Sequence, residues 1–110
     1  MAYSQDYLDF ILDQLSGFGD VMAKKMFGGI GFFKGGTMFA MIGGDVFRMR
    51  VDDVNRADYE TLGMKPYQPH PNKKGMPYWE VPLSILEDRE SLTIWAEKAY
   101  AAALRGKKKK

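Results

Sequence analysis

The middle of the chain, residues 29–51, is divided by pairs of glycines, and this spacing limits what the chain can fold into. Three apolar runs of strand length are separated by Gly35-Gly36 and by Gly43-Gly44-Asp45. Glycine tolerates the positive φ angles that tight hairpin turns require, because it has no Cβ. We therefore predict a three-stranded antiparallel meander in this part of the chain.

The third of these runs indicates which side of the predicted sheet is buried. Apolar Phe47, Met49 and Val51 alternate along it with two arginines, Arg48 and Arg50. Successive side chains of a strand point to opposite faces of a sheet. One face is therefore expected to enter the core, and the arginines are expected to meet water.

Helical patterns lie on both sides of the predicted meander. Apolar residues recur at three- and four-residue spacing over 7–15 and again over 92–103, where Trp95 is expected to supply the largest buried area. A short helix is predicted over 52–62 and a strand over 78–81. The predicted fold is α+β: a helix, a three-stranded antiparallel meander, a helix, one or two further strands, and a C-terminal helix packed on the sheet.

The positive charge of the chain is concentrated at its end. The 110 residues carry a net charge of +2, but Arg105 and the four lysines from Lys107 to Lys110 supply five of the sixteen basic residues. The remainder holds eleven basic and fourteen acidic residues and is therefore acidic. We predict one folded domain over residues 1–104 and a basic, disordered tail over 105–110.

The N-terminal residues favour a cytoplasmic location. They include Asp6, Asp9 and Asp13, where a secretory signal peptide would carry positive charge. No stretch approaches the roughly 20 apolar residues that a membrane-spanning helix needs. A cytoplasmic protein without a membrane segment is expected.

No catalytic, cofactor-binding or metal-binding residues are predicted. The chain has no cysteine, and its one histidine, His70, stands between Pro69 and Pro71, so it has no second ligand or nucleophile partner. Asp52 and Asp53 are assigned to capping a helix rather than to binding a cation. The glycine-rich run lacks the Lys-Ser or Lys-Thr pair and the following helix of a phosphate loop. We therefore expect a protein that is not an enzyme.

A candidate binding surface is formed by basic residues in and beside the meander. These residues are Lys24, Lys25, Arg48 and Arg50. Cations on a β-sheet face can contact the phosphates of a nucleic acid. A charged outer face also keeps a half-exposed sheet soluble without binding anything, so both interpretations remain open.

The methionines offer a second kind of surface. Most of the eight are assigned to core positions of the strands. Met38 and Met41 are three residues apart, so they are predicted on opposite faces of their strand. One of them is then expected to be exposed for docking of a partner.

Three short motifs occur in a characteristic order and spacing. They are Met26-Phe27-Gly28-Gly29 ahead of the first hairpin, Met76-Pro77-Tyr78 leading to Val81-Pro82, and Leu86-Glu87-Asp88 ahead of the last helix. With them, the chain resembles the N-terminal domain of the TfoX/Sxy competence-regulator family over residues 3–104. The resemblance implies an α+β fold of the kind shared with secretion-chaperone-like domains, and it supplies no catalytic residues.

The resemblance also shapes the functional expectations. Full-length members of the family carry a second, helical domain, so this chain is expected to be a stand-alone, single-domain member. A regulatory or protein-interaction role is expected, in transcription regulation. The partner is expected to bind the sheet surface or a strand edge, and a second copy of the chain is one possible partner, which would give a homodimer. The alternative is a nucleic-acid-binding accessory protein that uses the lysine tail and the basic sheet face.

Overall fold

A computed structural model describes residues 5–26, 29–43, 46–66 and 77–108, and it shows one antiparallel sheet with helices on one face. The strands lie in the order of the chain: β1 (Met22–Met26), β2 (Gly29–Lys34), β3 (Thr37–Gly43), β4 (Val46–Arg50) and β5 (Tyr78–Glu80). The predicted α+β class and the position of the C-terminal helix on the sheet are confirmed.

The first strand of the sheet was not among the predicted ones. β1 reads Met-Ala-Lys-Lys-Met, so two adjacent lysines interrupt the apolar pattern that identifies the other strands. β1 lies at the edge of the sheet and pairs antiparallel with β2 over its whole length. Polar residues are tolerated at such a position because both faces of an edge strand reach water.

The helices form a second layer, and the hydrophobic core lies between this layer and the sheet. They are α1 (Gln5–Gln14), a 3₁₀ helix (Leu15–Phe18), α2 (Arg56–Glu60), α3 (Leu83–Leu86) and α4 (Arg89–Lys108). α4 contacts β3 and β4 as well as α1, α3 and the 3₁₀ helix. The predicted apolar stripe of α4 is confirmed, since Leu92, Ala96, Ala99 and Ala103 are buried.

The hairpin turn between β2 and β3 forms as the glycine pair predicted. Gly35 and Gly36 have φ angles of 56° and 81°, the left-handed conformation that two-residue hairpins use. In the second predicted turn, Gly44 and Asp45 lie outside the described residues. The proline-rich segment around His70 also lies outside them.

Gly29 is required for the close approach of β2 to β3. A Cβ atom added at this position would lie 2.1 Å from the backbone oxygen of Ile42. Backbone atoms cannot rotate away as the end of a side chain can. Any other residue at this position must therefore displace one of the two central strands.

Replacement of Gly29 by alanine should lower the free energy of unfolding by about 1–3 kcal/mol, because the new methyl group overpacks the sheet. Gly17→Ala is the matched control. There the added Cβ meets only the Thr93 hydroxyl, at 3.0 Å, and that side chain can rotate. Urea denaturation of both variants measures the difference, and equal stabilities would contradict the role of Gly29.

Tyr59 is the largest fully buried side chain among the described residues, and Trp95 is only partly buried. That Trp95 supplies the largest buried area stays a prediction; its ring packs against the core and is partly exposed. The two rings lie 4.5 Å apart, and Trp79 lies 6.0 Å from Tyr59 on another side. α2 thus inserts Tyr59 between the sheet and α4, and leaves Trp95 at the rim.

Among the described residues, the hydroxyl group of Tyr59 has no hydrogen-bond partner. Burial raises the pKa of Tyr59 above its ordinary value of 10.0, and the negative charge of Asp58 raises it further. An unpaired buried hydroxyl costs stability because it has lost its hydrogen bonds to water. The Tyr59 hydroxyl therefore lowers the stability of the folded state.

Tyr59→Phe should raise the free energy of unfolding by about 1 kcal/mol, because the ring contacts remain and the unpaired hydroxyl is removed. Tyr7→Phe is the control and should lower it, since the Tyr7 hydroxyl accepts a hydrogen bond from the Phe47 N–H at 3.2 Å. Chemical denaturation at pH 7 compares the two.

The same variant has a signature at high pH. In the wild type the phenol of Tyr59 ionises near pH 10 once the chain is unfolded, but at a higher pH in the folded state. The free energy of unfolding of the wild type therefore falls as the pH rises above about 10, because the unfolded chain then ionises Tyr59 more readily than the folded protein does. Tyr59→Phe should lack this part of the decrease. An unchanged dependence of stability on pH would contradict the burial of the Tyr59 hydroxyl.

Candidate functional site

The sheet face turned away from the helices is the candidate site, and we call it the outer face. Its identity follows from the register, which places Lys24, Gly31, Met41 and Arg48 opposite one another across the first four strands. Their chain neighbours on the other side, such as Phe32, belong to the buried core. The outer face includes Met22, Lys24, Met26, Gly31, Phe33, Met38, Met41, Arg48 and, at the end of β4, Arg50.

A β-bulge brings Met38 and Met41 to the same face. Phe33 lies opposite Met38 and Gly31 lies opposite Met41, with a register shift between Phe32 and Phe33. Because Phe33 and Gly31 are two residues apart on one strand, they and their partners share a face. The prediction that Met38 and Met41 lie on opposite faces was wrong, because the additional residue of a bulge reverses the alternation.

Apolar side chains gather on the outer face above Gly31. A Cβ at this glycine would lie 2.5 Å from Sδ of Met26, 3.0 Å from Cε1 of Phe33 and 3.4 Å from Sδ of Met38. The two sulfur atoms and the ring therefore occupy the space that the absent side chain leaves. We call the five apolar residues of the outer face the methionine patch: Met22, Met26, Phe33, Met38 and Met41.

The methionine patch remains accessible to solvent. Met22 is 60% exposed, and the other four members are partly exposed. None of the five is among the residues that form the hydrophobic core or pack against it. A ring and flexible thioethers on an open surface suit the binding of an apolar partner, because methionine adapts its shape at low cost.

The four basic residues of the predicted binding surface do not form one patch. Lys25 lies opposite Ile30, so it points to the other side of β1 from Lys24. Lys24 and Arg48 share the outer face, but two strands separate them, a distance of about 14 Å at ordinary strand spacing. The single patch proposed from the sequence is therefore divided, because adjacent residues of a strand cannot share a face.

The two arginines make contacts within the domain. Arg48 donates a hydrogen bond from Nη1 to the backbone oxygen of Gly43. The guanidinium of Arg50 lies 5.9 Å from the ring centroid of Tyr78 and against the α4 backbone at Gly106. Part of their charge thus serves the fold, and the role of these residues in binding stays a prediction.

The predicted disordered tail begins as ordered helix. α4 continues to Lys108, so the boundary placed after residue 104 lies inside a helix. Arg105 donates to both carboxylate oxygens of Asp52, from Nε at 2.6 Å and from Nη2 at 2.9 Å. Lys107 Nζ donates to the Thr37 hydroxyl at 3.0 Å. The basic run could not reveal these contacts, because they join residues more than fifty positions apart.

Asp52 is thus a partner for Arg105 and also accepts a hydrogen bond from the Val54 N–H in the turn ahead of α2. The hydrogen bond from Arg105 lowers the pKa of Asp52 below its ordinary value of 3.8, against the opposing effect of burial. Hydrogen bonds from the N–H groups of Val54 and Asn55 lower it further. Asp53 forms an ion pair with Arg56. Both carboxylates are therefore engaged within the domain.

The family-motif residues that the structure describes are packed within the fold or lie on its sheet. Tyr78, Val81 and Pro82 are buried, and the Pro77 oxygen accepts a hydrogen bond from the Val51 N–H at 2.9 Å. Met26 belongs to the methionine patch and Gly29 to the close contact with Ile42. Phe27, Gly28 and Met76 lie outside the described residues.

A hollow of about 620 Å³ opens beside the methionine patch, where β1 begins. It is lined by Gly19, Asp20, Val21, Met22, Lys24, Phe33, Gly35 and Gly36. Its walls combine apolar side chains with one carboxylate and one ammonium group. Such a hollow provides room for a partner's side chain at the rim of the outer face.

In the described part of the chain, no group of three or more His, Cys, Asp or Glu residues is placed to hold a metal ion. None of the helices described there is both long and apolar enough to cross a bilayer.

Arg105→Gln should lower the free energy of unfolding by about 0.5–1 kcal/mol at pH 7, because a partly exposed, two-bond ion pair is lost. A lowered native pKa means that this stability is present above pH 3.8 and is lost as the pH falls through the native pKa of Asp52. The two proteins should therefore converge in acid. Arg89→Gln, which breaks a more exposed pair with Asp13, is the control with a smaller loss. Denaturation curves between pH 2 and 7 provide the measurement.

Comparison with known proteins gives a family for the chain. No curated protein matches the chain. A family model described as the TfoX N-terminal domain matches residues 13–103, which include every strand and helix except most of α1 and the end of α4. Because the match covers more than half of the chain, the protein belongs to the TfoX N-terminal domain family.

Proposed function

We propose that this domain is a regulatory, non-enzymatic module that binds a protein partner on the outer face of its sheet. The methionine patch is the observation that carries the proposal. None of its five residues belongs to the core cluster that the helices help to form, so the patch is left as a partly exposed apolar surface. Membership of the TfoX N-terminal domain family supports a role as a binding domain.

The chemistry of the outer face favours a protein over other ligands. Met38 and Met41 lie on the central strand, and Lys24 and Arg48 flank them on either side. An apolar centre with a charged rim is typical of protein–protein interfaces. Unbranched thioethers also adjust to the shape of a partner, which suits a regulatory contact that forms and dissociates.

Binding of a nucleic acid receives less support. Arg48, Arg50, Arg105 and Lys107 all have contacts within the domain, and Lys25 points away from Lys24. Phosphate binding needs cations that converge on one surface. The described basic residues do not provide such a surface, so this function is the weaker candidate.

The outer face can be tested by affinity capture with Met38→Gln/Met41→Gln. Glutamine has nearly the length of methionine, so the double variant removes apolar character while changing the shape of the surface little. The wild-type protein, immobilised and exposed to extract of the cells that produce it, should retain a partner in stoichiometric amount. The double variant should lose most of that partner, as measured by quantitative mass spectrometry.

Leu83→Gln/Ile94→Gln is the matched control. These residues are 65% and 52% exposed on the helical side of the domain. This variant should retain the partner as the wild type does, and thermal unfolding should show that both double variants are folded. Equal retention by all three proteins, or retention of nucleic acid alone, would contradict the proposal.

A further inference from the structure

The outer edge of β1 offers backbone groups of the sheet to another chain. β1 is the first strand in the sheet order, and in the part of the chain that the structure describes it pairs only with β2. In an antiparallel pair, alternate residues direct their N–H and C=O groups away from the partner strand. Such groups bind an added strand, so the ligand of this edge is an extended peptide.

The charges on β1 decide what kind of strand fits. Lys24 points to the outer face and Lys25 to the inner face, and both are exposed. Among the described residues, neither lysine has a carboxylate within ion-pair distance. Opposite charges placed across from each other on adjacent strands are favourable, so a strand with acidic side chains on both faces complements this edge.

A second copy of this chain does not fit the same edge. In the antiparallel register that pairs all five residues of β1 with another β1, Lys24 faces Lys24 of the other copy. Like charges directly opposite each other destabilise a strand pair. Edge lysines of this kind protect a sheet from pairing with itself while leaving it open to an acidic strand.

Apolar contacts are available on both sides of Lys24. Met22 and Met26 share its face of β1, and Met22, Lys24 and Phe33 form part of the hollow at the start of the strand. Apolar side chains of an added strand would rest on Met22 and Met26, while its acidic side chain met Lys24. The hollow also contains Asp20, which disfavours an acidic residue at that end.

We propose that the β1 edge binds an extended acidic segment of a partner protein as a sixth strand of the sheet. The segment has two adjacent carboxylate side chains, one for each lysine, between apolar residues. This inference rests on the proposed function, since it specifies the chemistry of the protein partner and the edge by which that partner reaches the outer face.

A synthetic peptide tests the edge directly. We would use a fluorescein-labelled octapeptide with two central glutamates flanked by valines, and measure its binding to the full chain by fluorescence anisotropy. Binding should be saturable and should weaken as salt is added. A peptide with central lysines should not bind, and neither should an acidic peptide in which prolines replace the valines, because proline has no N–H to donate.

Reversal of the charge on the protein provides the decisive comparison. Lys24→Glu should weaken binding of the acidic peptide about fivefold. Lys65→Glu, an equal change at an exposed lysine beside the opposite edge of the sheet, should leave the affinity unchanged. The double variant Lys24→Glu/Lys25→Glu should instead prefer the lysine-centred peptide, a gain of binding that a damaged fold could not produce.

Amide NMR locates the peptide and separates the two proposals. Shifts and slowed hydrogen exchange at Met22–Met26 are expected on addition of the acidic peptide. Binding that is equal in Lys24→Glu and wild type, amide changes elsewhere, or no binding at all would overturn the edge proposal. In that case, loss of the cellular partner by Met38→Gln/Met41→Gln would still support binding on the outer face, so the two proposals can fail separately.

Discussion

Packing of α4 against the centre of the sheet is the contact on which the rest of this structure depends. The helix presents Ala96, Ala99 and Ala103, whose small side chains let its backbone lie close to β3 and β4. Burial of apolar surface is the main source of stability in a domain of this size, and here it is concentrated on one side of the sheet. The other side contributes less to the core, so it can carry residues for binding.

That freedom explains why the methionine patch and the strand edge occur together. Two glycines permit the arrangement: Gly29 lets β2 lie against Ile42, and Gly31 makes room for the thioethers of Met26 and Met38. The bulge in β3 then adds Met41 to the same surface. The apolar face and the free edge of the lysine-bearing strand β1 are adjacent, so together they can accept one extended partner with apolar and acidic side chains.

Some basic residues make contacts within the domain and others are exposed at the edge of the sheet, a difference that residue counts do not reveal. Arg105 and Asp52 tie the end of α4 to the loop ahead of α2, and Arg50 packs between Tyr78 and Gly106. These cations act within the domain: hydrogen bonds hold Arg105, and Arg50 lies near the ring of Tyr78. Lys24 and Lys25 on β1 are the exposed pair at the edge of the sheet, and this placement motivates the acidic-strand proposal.

The sequence by itself determined the α+β class, the glycine hairpin, the alternation of β4 and the buried stripe of α4, because each of these follows from local periodicity or from the conformation of glycine. It also carried the motifs of the TfoX N-terminal domain family. Only the tertiary structure decided that β1 is a strand, that Met38 and Met41 share a face, that Lys24 and Lys25 do not, and that Arg105 belongs to the fold. Each of these depends on pairing between distant residues, because register, bulges and long-range ion pairs are set by the neighbouring strand or helix and leave no periodic signal in the chain.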